Sequence, residues 1–209
     1  MTPDTLLSAF VTLLLVVDPL GLVPTFVALT EGLPLKARRS VALRACIIAA
    51  VILTGAALGG EWLFKTVGIS LPAFRIAGGL LLFSIASEMV FGVRIERQSK
   101  AAEQAVEEHV RHIAAFPLAI PLMAGPGAIT ATVLLAGRSG AQPTAALAEL
   151  IGVICVVIAL CYAAFMAGGR LSRLLGTTGN VVLSRVLGVL LAALAVQYVI
   201  DGIRAVLPA

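Results

Sequence analysis

Two stretches place helix-breaking residues inside long apolar runs: "VVDPLGLVP" (16–24) and "MAGPGAITA" (123–131). Proline has no N–H and collides with the carbonyl four residues earlier, so Pro19 and Pro126 should each end one helix and begin another. Asp18-Pro19 and Gly125-Pro126 both read as a cap residue followed by proline at the first helical position. Each restarted helix then has N–H groups without an intrahelical acceptor: those of Leu20, Gly21 and Leu22, and those of Gly127, Ala128 and Ile129. With the helix dipole behind them, such groups hold a carboxylate without any charged side chain. The carbonyls that end the preceding half-helices, around Val16–Val17 and Met123–Ala124, suit an ammonium group. Together these poles describe a receptor for a small zwitterion.

The two breaks are not equivalent. A capping aspartate folds back onto its own helix N–H groups, so Asp18 occupies the first site itself. Gly125 has no side chain and leaves the second site open. The carboxylate is therefore expected at the second break and the ammonium at the first. The expected substrate-binding residues are Asp18, Pro19, Leu20, Gly21, Gly125, Pro126, Gly127 and Ala128.

Other reactive side chains are few. Glu88 lies within an apolar run at "IASEMVF" (85–91). A charge there costs roughly 2.5–3.5 kcal/mol on insertion scales and often serves function. Glu88 either pairs with Arg94 or another basic residue near the span's end, or is the site that couples transport to a proton or sodium ion. Cys46, Cys155 and Cys161 have no paired spacing and read as packing residues. His109 and His112 stand three residues apart with no second ligand pair, as on a solvated loop helix, so neither metal nor cofactor is expected. "GRSG" (137–140) spells the Gly-x-Ser-Gly of intramembrane serine proteases. A serine nucleophile needs a base, and both histidines fall in a loop expected on the opposite face. No Gly-x-Gly-Asp segment is present, so an enzyme is not expected.

The elements that carry these residues are set by composition. Of 209 residues, 60% are hydrophobic and 12% charged, against about 45–50% and about 25% in soluble domains. The apolar residues come in six runs long enough to cross a bilayer, at roughly 5–29, 40–60, 72–93, 113–136, 145–167 and 183–203. The lipid bilayer is thus the expected surrounding. A signal peptide is not expected at the N-terminus, because Met1-Thr2-Pro3-Asp4 has no positive charge and no small-residue cleavage site follows the apolar run before Asp18. The net charge of +4 does not point to nucleic acid, because the cations are scattered through short loops. Eleven of the 15 Lys and Arg fall in segments 31–44, 94–111 and 169–185. That bias puts those segments in the cytoplasm and both termini outside it.

An internal repeat organises the runs. Shifted by 110 residues, 74–94 lies over 184–204, pairing Arg75 with Arg185, Gly78 with Gly188, Gly92 with Gly202 and Arg94 with Arg204. A shift of 107 lays Pro19 over Pro126. Each half then holds three spans, and an odd number inverts the second half in the membrane, as in many secondary transporters. The expected fold is an all-α membrane protein of six transmembrane helices in one domain. It comprises repeat one (1–95), a cytoplasmic loop (96–111) and inverted repeat two (112–209), with the first and fourth helices broken near mid-membrane.

These motifs resemble the MarC family, the six-span neutral amino acid transporter family, along essentially the whole chain. Its Asn/Asp-Pro-x-Gly-x-x-Pro motif is matched by Asp18, Pro19, Gly21 and Pro24. Its Pro-Leu-x-x-Gly-Pro-Gly-Ala-Ile segment is matched by Pro121, Leu122 and Gly125 to Ile129, and "RIAGG" (75–79) and "DGIR" (201–204) also fit. Many members carry asparagine at the position of Asp18, and often a polar residue at that of Leu22. The resemblance implies a prokaryotic inner-membrane protein that moves small neutral amino acids such as glycine or alanine. A channel, or a structural membrane protein without transport activity, tolerates broken helices equally well and stays open at this level.

Overall fold

Proline at 19 and 126 interrupts the chain's helices where its chemistry requires. The computed structural model describes residues 3–107, 114–137 and 143–207, and among these no strand occurs. Helix α1 (Pro3–Val17) is followed after a short break by α2 (Leu22–Leu29), and the pair is bent by 45°. A π-helical segment (Ala114–Met123) precedes α6 (Pro126–Ala136), and its Pro117–Met123 part forms a second bent pair with α6, at 53°. Between and after them run α3 (Leu35–Val67), α4 (Leu71–Phe91), α5 (Val93–Glu107), α7 (Pro143–Met166) and α8 (Gly168–Val206). Among the described residues four helices are long and apolar enough to cross a membrane, or up to six if each bent pair is one span.

Local chemistry explains the boundaries of α4. The Ser70 hydroxyl accepts from the Ala73 N–H at 3.3 Å, and Pro72 occupies the first turn. At the other end Gly92 adopts φ 82°, a left-handed conformation that glycine reaches at little cost. Helix α5 begins at the next residue, Val93.

Helices α4 and α8 pack along each other in antiparallel fashion. A Cβ on Gly79 would lie 2.7 Å from the Ala195 carbonyl oxygen, and one on Gly202 would lie 2.9 Å from that of Pro72. Only glycine permits backbones this close. Helix α2 is tied down by Phe26, whose ring stacks on Phe165 of α7 at 4.5 Å. Arg38, in the first turns of α3, donates from Nε to the Thr30 hydroxyl at 3.2 Å and lies over the Phe26 ring. Outward faces carry large apolar side chains, among them Val51, Leu58, Trp62 and Leu80, as expected for contact with lipid.

Several expected boundaries move. The segment 96–111, expected as a loop, is helical as far as Glu107. Most of 31–44 and 169–185 is helix too, because α3 begins at Leu35 and α8 at Gly168, with an interruption at Gly176 (φ 59°). Charge density alone does not unmake a helix, and these cationic turns extend the apolar ones. Gly55 and Gly59 form a Gly-x-x-x-Gly in the second apolar run, a spacing that from sequence marks tight helix packing. Among the described residues, however, nothing lies within 4 Å of a Cβ at either. Gly60 takes that role instead, against Val133 of α6. His109, His112 and Ser139 lie outside the described residues.

Candidate functional site

The first break is closed by its own residues. Asp18 ends α1 by adopting φ 55°, a region where aspartate and asparagine are several-fold enriched. Its N–H still donates to the Leu14 carbonyl at 2.9 Å, and its carbonyl accepts from the Leu22 N–H at 3.2 Å. Its Oδ1 accepts from the Gly21 N–H at 3.0 Å, as a capping aspartate should. A Cβ on Gly21 would fall 2.1 Å from Asp18 Oδ2, so only glycine leaves room for the carboxylate. Pro19, Leu20 and Gly21 form the connecting turn, and α2 begins at Leu22 instead of Pro19. The left-handed Asp18 requires that turn before the helix resumes.

Arg94 closes the other side of this break. It stands in the first turn of α5, yet is only 7% exposed. Its Nη2 donates to the Val16 carbonyl at 2.9 Å, and its Nη1 lies 3.2 Å from Met89 Sδ. Its charge acts on the Asp18 carboxylate, which is 2% exposed. The Val16 carbonyl, expected to receive an ammonium group, is thus filled by a guanidinium. A buried carbonyl at a helix end needs a donor, and the chain supplies one from α5.

The second break is open. The π-helical segment ends with the Ala124 N–H donating to the Ala119 carbonyl at 2.9 Å. Gly125 is extended (φ −75°, ψ 176°) and offers no side-chain cap. Pro126 opens α6, and the helical ladder begins with the Ile129 N–H on the Gly125 carbonyl at 3.0 Å. The N–H groups of Gly127 and Ala128 therefore precede that ladder. Gly125 to Ala128 form part of the wall of a cavity of about 390 Å³. Leu81, Ser84, Ile85 and Glu88, a single stripe of α4 at helical spacing, form the facing wall. Arg94, Arg97 and Gln98 of α5 contribute a third side.

Val16 links the two breaks, since its Cγ1 would lie 3.4 Å from a Cβ on Gly127. The structure therefore brings Gly125, Pro126, Gly127 and Ala128 onto the cavity wall. It leaves Asp18, Pro19, Leu20 and Gly21 off that wall. Glu88 is on it, and both its carboxylate oxygens accept from Arg97, Oε1 at 3.0 Å. The partner is Arg97, not Arg94, because Arg94 is turned inward to Val16. Among the described residues no group of three metal-ligating side chains converges. Sequence inspection names Arg94 as a candidate partner of Glu88, leaves Arg97 among the other basic residues, and does not single out Ile85. The spacing of Leu81, Ser84, Ile85 and Glu88 was the available signal for the α4 wall.

The geometry of Asp18 sets a stability prediction. Asp18→Asn keeps the cap and tolerates φ 55°, so it should cost no more than about 1 kcal/mol. Asp18→Ala loses the cap and also strains the backbone, and should cost about 2 kcal/mol or more. Thermal unfolding of the two purified variants checks this; equal midpoints would contradict it.

The sequence matches the model of the MarC family integral membrane proteins over residues 4–207. It is 38% identical over 202 residues to the UPF0056 membrane protein MJ1677 of Methanocaldococcus jannaschii, covering 95% of this chain and 96% of that one. It is 34% identical to the UPF0056 membrane protein YhcE of Escherichia coli, covering 95% and 92%. It is 35% identical to the UPF0056 membrane protein YvbG of Bacillus subtilis, covering 97% and 96%. No solved structure matches the chain. A full-length family match, on a helical bundle with two bent helix pairs, places this chain in the MarC family of integral membrane proteins.

Proposed function

We propose that this protein is a secondary transporter of small neutral amino acids such as glycine and alanine. One observation carries the reading: the uncapped start of α6 at Gly125-Pro126 opens onto a cavity of about 390 Å³ inside an apolar helical bundle. The substrate carboxylate binds the N–H groups of Gly127 and Ala128, where the dipole of α6 is positive. Each bent pair is one broken span, which makes six spans in two inverted halves. The antiparallel packing of α4 against α8, the third and sixth spans, supports this arrangement, because a two-fold axis in the membrane plane relates antiparallel partners. The breaks lie near mid-membrane, and alternating access moves one half against the other around them. The cationic segments face the cytoplasm, so both termini face outward from a prokaryotic inner membrane.

Counterflow separates a carrier from a pore. Proteoliposomes preloaded with unlabelled alanine should accumulate external labelled glycine transiently and saturably. Conductance that rises without saturation, or no movement of either amino acid, would contradict the proposal.

A further inference from the structure

A zwitterion needs a second pole, and the expected one is already occupied. The Val16 carbonyl holds Arg94, and Asp18, capping Gly21, is off the cavity wall. Glu88 is the carboxylate that does line the cavity. It stands one turn beyond Ile85, and Ile85 touches the start of α6: a Cβ on Gly127 would lie 2.2 Å from Ile85 Cδ1. Three residues advance a helix by about 4.5 Å. Helical side chains also lean toward the N-terminus, which carries the Glu88 carboxylate back toward that contact. In an α-amino acid the carboxylate oxygens and the nitrogen are roughly 3 Å apart, and each charged hydrogen bond adds about 2.8 Å. That reach suits a molecule held at one end by Gly127 and Ala128 and at the other by Glu88.

Glu88's present partner is well placed to leave. The Arg97 side chain is 63% exposed, and ion pairs at such exposure are weak and exchange readily with solvent. Burial would fix the pair, as it fixes Arg94; Arg97 is not buried. Building on the transport reading above, we propose that Glu88 binds the substrate's ammonium group and that Arg97 is its placeholder. An arriving zwitterion exchanges one cation for another at Glu88, so the carboxylate is never left unpaired and no proton has to move. A carboxylic acid without an ammonium group cannot make that exchange, which selects alanine over propionate.

The test is calorimetric binding of alanine, with propionate as competitor, to the full chain and to Glu88→Gln and Arg97→Gln. Each variant removes one half of a pair whose Arg97 side is exposed and whose Glu88 side is half-buried, so the fold should survive. Glu88→Gln should weaken alanine binding about tenfold or more and leave propionate competition unchanged, since one charged hydrogen bond is lost. Arg97→Gln should tighten alanine binding, because nothing then competes for Glu88. If the pair were only a latch between α4 and α5, both variants would weaken alanine and propionate in parallel. That result, or equal wild-type affinity for the two acids, would overturn the role of Glu88 while leaving the transport reading intact. A wild-type protein that binds neither alanine nor glycine would overturn both.

Discussion

Gly127→Val should eliminate amino acid binding while the protein stays folded. A Cβ at this position would meet Ile85 Cδ1 at 2.2 Å, and Val16 Cγ1 at 3.4 Å. The nearer atom is the tip of a flexible side chain, so Ile85 can swing away, and the open direction is the cavity. Overpacking of this kind costs about 1–3 kcal/mol of stability. The effect on binding is larger. The valine methyls and the displaced Ile85 cover the N–H groups of Gly127 and Ala128, removing two hydrogen bonds to a carboxylate. At about 1.5–3 kcal/mol each, affinity should fall by about a hundredfold or more. Titration of alanine into the purified variant measures this. Gly125 would be a poor choice for the same test, because a Cβ there meets the Pro121 carbonyl oxygen at 2.2 Å. That neighbour is backbone and cannot step aside. Gly127→Val with wild-type affinity would show that the N–H groups at this helix start do not hold the substrate.

Arg94→Met should be the most destabilising of the substitutions considered. The methionine approximates the length of the arginine but donates nothing to the Val16 carbonyl, which is then buried without a partner. It also removes the charge that acts on Asp18. Leaving that carbonyl buried without a donor costs about 1–3 kcal/mol, and the lost charge adds to this, so in a chain of this length the unfolding midpoint should fall by several degrees. Adding Asp18→Asn should recover part of that loss, because the orphaned carboxylate disappears while the Gly21 cap remains. A double-mutant cycle on thermal unfolding measures the coupling. Strict additivity would mean that Arg94 matters only through the Val16 hydrogen bond.

The breaks were legible because proline and glycine act locally. Pro126 begins a helix behind an uncapped Gly125, and Asp18 folds back onto Gly21, as residue type alone requires. The start of α2 was misplaced by three residues, because the left-handed conformation of Asp18 is a product of the whole turn and not of Pro19 alone. Arg94 was illegible for a different reason. A cation just past an apolar run reads as a loop residue facing water, which is how it entered the charge count. Its burial is a tertiary contact: α5 starts directly after the turn at Gly92, and Arg94 and Gln98, one turn apart, are both buried. Gly55 and Gly59 show the reverse error: their spacing matches a packing motif, yet among the described residues nothing lies within 4 Å of a Cβ at either. Spacing identifies a face, whereas the partner of that face depends on tertiary arrangement. The α4 wall illustrates both sides. Leu81, Ser84, Ile85 and Glu88 share a stripe by periodicity, but only the fold shows that the stripe looks onto the start of α6.

A structure of the protein soaked with alanine tests the central claim most directly. The account predicts the alanine carboxylate within about 3 Å of the Gly127 and Ala128 N–H groups, inside the cavity bounded by α4 and α6. A ligand bound elsewhere, or a carboxylate turned away from the start of α6, would contradict it.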